Sequence, residues 1–317
     1  MTAKQGLSGR EHCPRRISEM DPEVWEKLAL AGKAGSEALK LGVSIAKDGA
    51  KLLDIAEAVE NRVREMGAKP AFPVCICIDD VAAHYSPTHD DQLRLKRGQV
   101  VKIDLGAHVD GYVADTAKTV EIGTSSWIGL IKASEVALQA AIEVIRPNVP
   151  TRLIGAAVER TIESYGFRPI VNLTGHSIER YVLHAGKSIP NVGDRTSDVI
   201  AKGDVVAIEP FSSAGAGKVE GRKLSNIYRL VRARDLKHEP SNRLIKYIDE
   251  NFKGLPFAER WVYRFDDNAP AILKKLQRAG LVMAYKQLAD IGGGMVAQTE
   301  HTMLVTADGA RLTTAWQ

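Results

Sequence analysis

Two parts of this 317-residue chain follow the same order of helices, glycines and strands, and this repeat restricts the fold more than any other feature. Each part is predicted to begin with a pair of helices, at about residues 22–46 and 52–66 and again at 127–146 and 151–165. The second helix of each pair ends at a glycine, and the chain continues as GAKP after the first pair and GFRP after the second. Later strands also correspond, because RGQVVKID in the first part matches KGDVVAIE in the second. The repeat predicts two related half-domains, although strands entered through glycine and valine also resemble each other by composition alone.

A predicted hairpin over residues 100–116, VVKIDLGAHVDGYVADT, carries two acids that strand geometry brings together. Asp110-Gly111 is typical of a two-residue turn, and that turn places Gly106 opposite Asp115. Since side chains alternate along a strand, Asp104 shares the face of Gly106 and lies diagonally from Asp115, at roughly 7–8 Å between backbones. Two buried carboxylates repel each other and need a cation or a proton between them. A solvated face with two unrelated acids is the alternative that this segment alone leaves open.

The repeat adds further candidate residues to these two acids. Asp104 has a counterpart, Glu209, at the end of the equivalent strand, and pseudo-twofold symmetry directs both toward a central seam. Glu300 lies in an apolar strand over residues 296–305, where a carboxylate without a partner is costly to bury. His84 and His184 fall at nearly equivalent places in the two parts. A single histidine is more often structural than a ligand, but this placement favours a shared cleft.

Four of these acids and a further histidine form a candidate metal site, which consists of Asp104, Asp115, His176, Glu209 and Glu300. Oxygen-rich donors with one imidazole suit two borderline-hard divalent ions, such as manganese, iron, cobalt or zinc. A bridged pair of ions can hold a hydroxide between them and stabilise both ends of a hydrolytic displacement.

Composition excludes several other classes of protein. A hydrophobic content of 44% and a charged content of 26% argue against wholesale disorder. The formal charge of +4 is mildly basic, which fits a loose approach to ribosomal RNA but does not identify a nucleic-acid binder, and no DNA partner is expected. No apolar run approaches a membrane span, and residues 1–20 lack the hydrophobic core of a signal peptide. The three cysteines fit a reducing compartment, so a cytoplasmic protein without a membrane partner is predicted, and nothing demands more than a monomer.

The predicted domain plan has a tail, a catalytic domain and an insert. Residues 1–20 are polar and basic and are expected to form a flexible tail ahead of a catalytic domain over residues 21–317. Residues 212–293 interrupt the repeat and contain predicted helices at 242–252 and 270–279, which indicates a small helical subdomain inserted between strands. A lid that shapes the substrate cleft is favoured over a winged-helix nucleic-acid module, since fold analogy alone does not establish binding.

Six segments carry a resemblance to a known enzyme family: AFPVCICIDDVAAHY, KIDLGAHVDGYVADTA, VNLTGHSIERY, LHAG, IEPF and AQTEHT. They resemble the type 2 methionine aminopeptidases of archaea, and the likeness runs from about Asp21 to the C-terminus. Residues 255–261, LPFAERW, resemble part of the subdomain that separates type 2 from type 1 members. The resemblance implies an α+β pita-bread fold, in which two pseudo-twofold-related half-domains surround a central antiparallel sheet and carry an inserted helical subdomain.

The same resemblance implies an activity and a role for each candidate residue. The activity is co-translational removal of the initiator methionine from nascent chains with a small second residue, by hydroxide that two divalent ions activate. The implied roles are that Asp104 chelates one ion, Asp115 and Glu300 bridge the two, and His176 and Glu209 bind the other. Glu209 would also assist proton transfer, His84 and His184 would hold the substrate amide and the tetrahedral intermediate, and Phe72 and Leu183 would line the methionine pocket.

Two other functions are compatible with the same fold, and one residue departs from the family pattern. Proline-specific aminopeptidases and prolidases share the fold and ligands, but they usually carry a large preceding domain, and here only about 70 residues precede the first catalytic strand. Non-catalytic relatives that bind RNA or ribosomes lose metal ligands, whereas this chain keeps all five. Asp79 stands where relatives often have an amide, which puts substrate fine-tuning in doubt. The physiological metal, the occupancy of the second metal position and any docking of the tail on ribosomes stay open.

Overall fold

The computed structural model describes residues 21–193 and 198–315. The tail predicted over residues 1–20 lies outside this part, as does Cys13. The helices of the described part are α1 Pro22–Ile45, α2 Leu52–Glu65, α3 Ile128–Val144, α4 Thr151–Ser164, α5 Glu239–Phe252, α6 Glu259–Tyr263 and α7 Ala269–Arg278.

The strands of the same part are β1 Lys69–Ile78, β2 Val81–Ala83, β3 Val100–Val109, β4 Tyr112–Glu121, β5 Arg168–Pro169, β6 Thr174–Ile178, β7 Ser188–Pro190, β8 Val205–Ile208, β9 Phe211–Ser213, β10 Val219–Leu230, β11 Phe257–Ala258, β12 Val282–Asp290, β13 Val296–Gln298, β14 Glu300–Val305 and β15 Ala310–Leu312. Helices and antiparallel strands therefore occur together in one α+β arrangement.

The predicted helix pairs are present in both parts of the chain. Asp21 accepts a hydrogen bond from the backbone N–H of Glu23 at 3.0 Å and caps α1, as its sequence indicates. Helices α2 and α4 are each followed by a glycine with nearly the same left-handed backbone, Gly67 at φ 80° and Gly166 at φ 81°. The pairs pack against separate apolar clusters, α1 and α2 with β1 and β3, and α3 and α4 with β8 and β14. The two parts thus repeat their local structure as well as their sequence plan.

One eight-stranded antiparallel sheet joins the two parts. Its strands lie in the order β1-β3-β4-β14-β8-β6-β7, and β15 pairs with β14. Strand β14 lies at the seam, between β4 of the first part and β8 of the second. The sheet therefore brings the middle of β3 and the end of β8, the strands that the repeat makes equivalent, to the same central region.

The hairpin between β3 and β4 has the predicted register. Val109 pairs with Tyr112, and Gly106 pairs with Asp115. Asp110 and Gly111 both have positive φ, 51° and 87°, which is the backbone of a type I′ turn. Asp104 and Asp115 consequently lie diagonally on one face of the sheet.

The predicted insert combines strands with helices. Helices α5 and α7 lie close to their predicted positions, and α6 was not predicted. The long strands β10 and β12 pair with each other, and β12 also pairs with β2 near the start of the chain. The helices lie between these strands in sequence and share an apolar cluster with β10, β11 and β12. Strand β10 was missed because its first half, VEGRKL, is mostly exposed and lacks a regular apolar alternation.

Two features of the described residues relate to the composition of the chain. Cys75 and Cys77 are buried free thiols in β1. Within residues 21–193 and 198–315, no helix has both the length and the apolar character needed to cross a membrane.

The hairpin turn generates a prediction about stability. A Cβ atom at Gly111 would lie 2.3 Å from the ring of Tyr181, whereas one at Gly49, which also has positive φ, would meet no atom within 4 Å. Gly111→Ala should therefore lower the free energy of unfolding by roughly 1–3 kcal/mol, through both the backbone and the contact. The matched control Gly49→Ala carries only the backbone cost, on the order of 1 kcal/mol. Equal losses in urea unfolding would contradict the contact with Tyr181.

Candidate metal centre

All of the predicted site residues line one cavity of about 250 Å³ at the centre of the sheet. They are Phe72, His84, Asp104, Asp115, His176, Leu183, His184, Glu209 and Glu300. These residues come from both halves of the chain, so the cavity exists only because β14 joins the halves.

Two threonine hydroxyls lie between β4 and its neighbours β14 and β13 beside the cavity. The Thr302 hydroxyl accepts a hydrogen bond from the backbone N–H of Asp115 at 2.7 Å and donates to its carbonyl at 2.9 Å. The Thr119 hydroxyl does the same for Gln298, at 2.8 and 2.7 Å. Each hydroxyl thus takes the place of a direct backbone pair and satisfies both buried groups. The strands therefore keep their register although a threonine side chain lies between their backbones.

Glu300 enters the site at a break between two strands. The segment predicted as one strand over residues 296–305 forms β13, which pairs with β9, and β14, which pairs with β4, β8 and β15. Thr299 lies at the break, and its hydroxyl is 2.9 Å from that of Ser134 on α3. Glu300 is the first residue of β14 and is only 1% exposed.

His176 and Glu209 reach the cavity from the second half. His176 on β6 pairs with Ala207 on β8, two residues before Glu209. The His176 Nε2 atom lies 3.7 Å from Asp115 Oδ2 and 3.8 Å from Glu209 Oε1. These separations exceed a hydrogen bond. They are close to those between two atoms bound to one divalent ion at about 2.0–2.2 Å each.

Burial disfavours the ionised forms of all four acids, and repulsion between acids adds to this effect at Asp115, Glu209 and Glu300. Burial raises the pKa of Asp104 to about 7. Burial, and then the charges of neighbouring acids, raises the pKa of Asp115, of Glu209 and of Glu300 well above the ordinary carboxylate range. Burial lowers the pKa of His176 to about 3, so its imidazole is neutral at neutral pH. A neutral imidazole among acids that cannot all be ionised together is the donor set that a cation stabilises.

Unpartnered atoms in the site fit a divalent ion. Among the predicted metal ligands, four buried side-chain atoms have no hydrogen-bond partner within the described residues: Asp104 Oδ1, Asp115 Oδ1, His176 Nδ1 and Glu300 Oε1. One ligand atom from each of Asp115, His176 and Glu300 lies within 4.8 Å of the other two. Buried polar atoms are almost always satisfied, so these indicate a ligand. Carboxylates with one imidazole suit a borderline-hard divalent metal.

The two predicted substrate-binding histidines lie at the mouth of the same site. His84 has a left-handed backbone, with φ 69°, and its Nδ1 atom lies 3.2 Å from the carbonyl oxygen of Lys286. Because that oxygen can only accept, Nδ1 carries the proton and Nε2 is left as an acceptor. Burial lowers the pKa of His84 to about 4. The ring of His184 lies 4.3 Å from that of His176, and burial lowers its pKa too.

Several residues of the site were not predicted from the sequence. Gln298 Nε2 donates to Glu209 Oε2 at 3.1 Å and lies 3.4 Å from Asp104 Oδ2 and 3.5 Å from Glu300 Oε2. Its position two residues before Glu300, on an extended segment, was an available signal. Ile227 and Tyr285 complete the apolar wall from β10 and β12. No short-range pattern points to them, because they lie in the insert.

Asp79 does not line the cavity. It lies in the turn after β1 with φ 54°, and its Oδ1 accepts a hydrogen bond from the backbone N–H of Val100 at 2.9 Å. Its carbonyl accepts from the buried Lys102 ammonium at 2.7 Å. Asp79 therefore caps a turn, and any effect it has on substrate is indirect.

The likeness of the chain to other proteins agrees with this site. The sequence profile of metallopeptidase family M24 matches residues 26–307. A methionine aminopeptidase of Methanocaldococcus jannaschii is 46% identical over 295 residues, which cover 93% of this chain and 100% of the relative. Among solved structures, a methionine aminopeptidase from Thermotoga maritima aligns at a TM-score of 0.69 and 24% identity, covering 94% of this chain and 98% of the other. A thermophilic Arx1 aligns at 0.82 and 20% identity, covering 94% and 93%. The two structures share the fold.

The metal site predicts that Asp115→Asn weakens metal binding without lowering the thermal stability of the metal-free protein. Asp115→Asn replaces a buried ionisable carboxyl group with a neutral amide of similar shape, so without metal the variant should unfold at the same or a higher temperature than the parent. Its affinity for a divalent ion should fall by more than about 100-fold, since loss of an outer-shell partner alone costs 10–100-fold. Thermal unfolding in EDTA and competition with a chelator measure the two effects. Asp110→Asn, at the exposed turn of the same hairpin, should leave affinity unchanged, and equal effects of both variants would reject Asp115 as a ligand.

The raised pKa values predict how metal stabilisation depends on pH. Carboxylates with raised pKa stabilise the metal-free protein when protonated, and this contribution is lost as pH rises from about 4 through the folded pKa, about 7 for Asp104. A bound cation offsets the repulsion between the ionised carboxylates, so the metal-bound protein does not lose this stability as pH rises. The gain in unfolding temperature from saturating Mn²⁺ over EDTA should therefore be larger at pH 7.5 than at pH 5.5. Neutral His176 contributes little to the change, and a gain independent of pH would argue against binding through these acids.

Proposed function

The chain belongs to metallopeptidase family M24 and, within it, to the type 2 methionine aminopeptidases, and on this premise we propose that it removes the initiator methionine from chains whose second residue is small. The observation that carries the proposal is the convergence of all nine predicted residues on one cavity. Acids and one imidazole occupy its inner part, and apolar side chains form a wall beside them. Such a cavity accommodates a free amine, a peptide carbonyl and an apolar side chain together.

The acids and His176 would hold two divalent ions. We assign Asp104 to one ion, His176 and Glu209 to the other, and Asp115 and Glu300 to both. Divalent ions held there would lower the pKa of water and polarise a carbonyl oxygen. Cobalt, manganese, iron and zinc all suit this set of donors.

The apolar wall would receive the methionine side chain. Phe72 and Leu183 are 7% and 9% exposed and belong to one apolar cluster. The buried thiol of Cys75 and the side chain of Ile227 extend this wall. An unbranched, polarisable side chain packs well in such an irregular space. Selection at the second residue would be steric, since the cavity, at about 250 Å³, is smaller than the roughly 300–1,000 Å³ of most small-molecule sites.

The histidines and Glu209 would handle protons and negative charge. His84 Nε2, left as an acceptor by the contact of Nδ1 with Lys286, would accept a hydrogen bond from the scissile amide N–H. His184, beside His176, would donate to the carbonyl oxygen as negative charge develops there. Glu209, which lines the same cavity, would pass a proton to the leaving amine.

The substrates in this proposal are the N-termini of nascent chains, and we place the activity in the cytoplasm. Neither alternative function, Xaa-Pro cleavage or non-catalytic binding of RNA or ribosomes, is favoured. The 46% identity to a methionine aminopeptidase extends over 100% of that relative, which argues for the same specificity rather than for Xaa-Pro cleavage. All five predicted ligands line the cavity, as a catalytic rather than a purely binding member requires.

A peptide assay tests the proposed activity. Met-Ala-Ser should release free methionine when Mn²⁺ or Co²⁺ is added, and none in EDTA. Met-Phe-Ser should react at least about ten-fold more slowly, because a steric limit costs more than about 1.4 kcal/mol in the transition state. Asp115→Asn is the matched inactive control. Cleavage of a Xaa-Pro peptide with no release from Met-Ala-Ser would overturn the specificity.

A further inference from the structure

A buried arginine of the insert lies at the centre of a network that the proposed reaction does not use. Arg260 belongs to the LPFAERW segment and lies in α6. Its side chain is 2% exposed and its ion-pair partner, Glu60 of α2, is 3% exposed. Arginine is almost never this buried unless it is paired.

The first end of the network joins the insert to α2. One terminal nitrogen of Arg260 donates to Glu60 Oε1, and the indole N–H of Trp261 donates to Glu60 Oε2 at 2.8 Å. Glu60 Oε1 also accepts from the backbone N–H of Val74 on β1, at 3.3 Å. The cost of burying a charge pair is often as large as its attraction, so such a pair is weak evidence for a role in stability. The pair has a fixed geometry, and it holds α6, α2 and β1 at set distances from one another.

The second end of the network reaches the His84 segment, defined as residues 84–87. The other terminal nitrogen of Arg260 donates to the Ser86 hydroxyl at 2.8 Å and to the Pro87 carbonyl at 3.0 Å. The Ser86 hydroxyl donates in turn to the Val74 carbonyl at 2.9 Å. The insert contacts this segment again through Asn226, whose amide donates to the Ser86 carbonyl at 3.1 Å. One planar guanidinium therefore ties α2 to the Ser86 hydroxyl and to the Pro87 backbone, two and three residues beyond His84.

The backbone of His84 needs such support. A residue other than glycine with φ 69° is in a sparsely populated, energetically unfavourable conformation. Such a conformation persists only where its surroundings fix it. The ring is set by the Lys286 carbonyl and by an edge contact with Tyr285, at 5.3 Å between ring centroids. Both of these partners belong to β12, so the insert holds the ring as well as the following residues.

We propose that Arg260 is a positioning residue, which fixes the His84 segment between α2 and the insert so that the His84 ring faces the substrate. The role rests on the proposed function, in which His84 contacts the scissile amide. The geometry itself is independent of that function, because the network lies outside the cavity and touches none of the predicted metal ligands. The LPFAERW segment therefore couples the insert to a catalytic side chain.

A second ion pair between the same two elements provides a matched control. Arg264, at the end of α6, donates to Glu57 of α2 at 2.6 Å. Its side chain is 61% exposed, and it has no contact with the His84 segment in the described structure. Arg260→Lys and Arg264→Lys thus make the same chemical change at a buried and at an exposed pair. A lysine at position 260 keeps the charge but cannot donate to Glu60, Ser86 and Pro87 in the planar fork that arginine provides.

The first readout does not require activity. In zinc-loaded protein labelled with ¹⁵N-histidine, the His84 ring signals are those that disappear in His84→Ala. Arg260→Lys should shift or broaden these signals, whereas Arg264→Lys should leave them in place. Unchanged His84 signals in folded Arg260→Lys would overturn the proposal even if the parent proved inactive on methionine peptides.

The second readout is a double-mutant cycle on turnover of Met-Ala-Ser. Arg260→Lys should lower kcat by about 10–100-fold, the loss expected from a misplacement near 1 Å, while KM changes by less than about 3-fold and metal content is unchanged. In the His84→Ala background the same substitution should cost less than about 2-fold, because the group that it positions is gone. The same fold loss in both backgrounds would mean a general structural role and would reject the proposal. If Arg260→Lys does not fold, Ser86→Ala, which cuts one link and spares the ion pair, takes its place in both experiments.

Discussion

Four carboxylates buried around one imidazole cannot all be ionised without a cation, and this constraint shapes the rest of the structure. Burial raises the pKa values of all four acids, and the charges of neighbouring acids raise those of Asp115, Glu209 and Glu300 further. A site of this kind opposes folding, because each buried charge without a partner costs several kcal/mol. The surrounding structure must therefore be stable enough to hold the acids in place before any ion binds. Separate apolar clusters on either side of the seam provide that stability.

The division of the chain into two related parts explains how so many acids reach one point. A single hairpin can place two carboxylates diagonally on one face, as β3 and β4 do with Asp104 and Asp115. The second part supplies Glu209 from the equivalent strand, and β14 brings Glu300 between them. The hydroxyls of Thr119 and Thr302 hold the strands apart without leaving backbone groups unpaired. Symmetry thus places the acids, and the threonines open the space between them.

The sequence predicted what depends on local rules and missed what depends on distant contacts. The register of the hairpin followed from Asp110-Gly111, and the ends of the helices followed from their caps and from Gly67 and Gly166. The cavity contains all the residues that the repeat and the family resemblance singled out. The break between β13 and β14 was not predictable, because it results from pairing with two different sheets. Strands β10 and β12 were missed for a related reason, since much of their length is half-exposed and held mainly by cross-strand pairing.

The insert supplies part of the cavity wall and contacts the His84 ring directly. The carbonyl of Lys286 on β12 lies beside the Nδ1 atom of His84, so Nδ1 carries the proton and Nε2 is left to accept a hydrogen bond. A side chain can be replaced by mutation, but a backbone carbonyl stays as long as the strand does, so this choice of tautomer is built into the fold. Strand β12 is paired with β10 and β2. Arg260 of α6 donates a hydrogen bond to Ser86, two residues after His84. The segment that breaks the symmetry of the two halves therefore gives His84 an environment that the repeat alone does not provide.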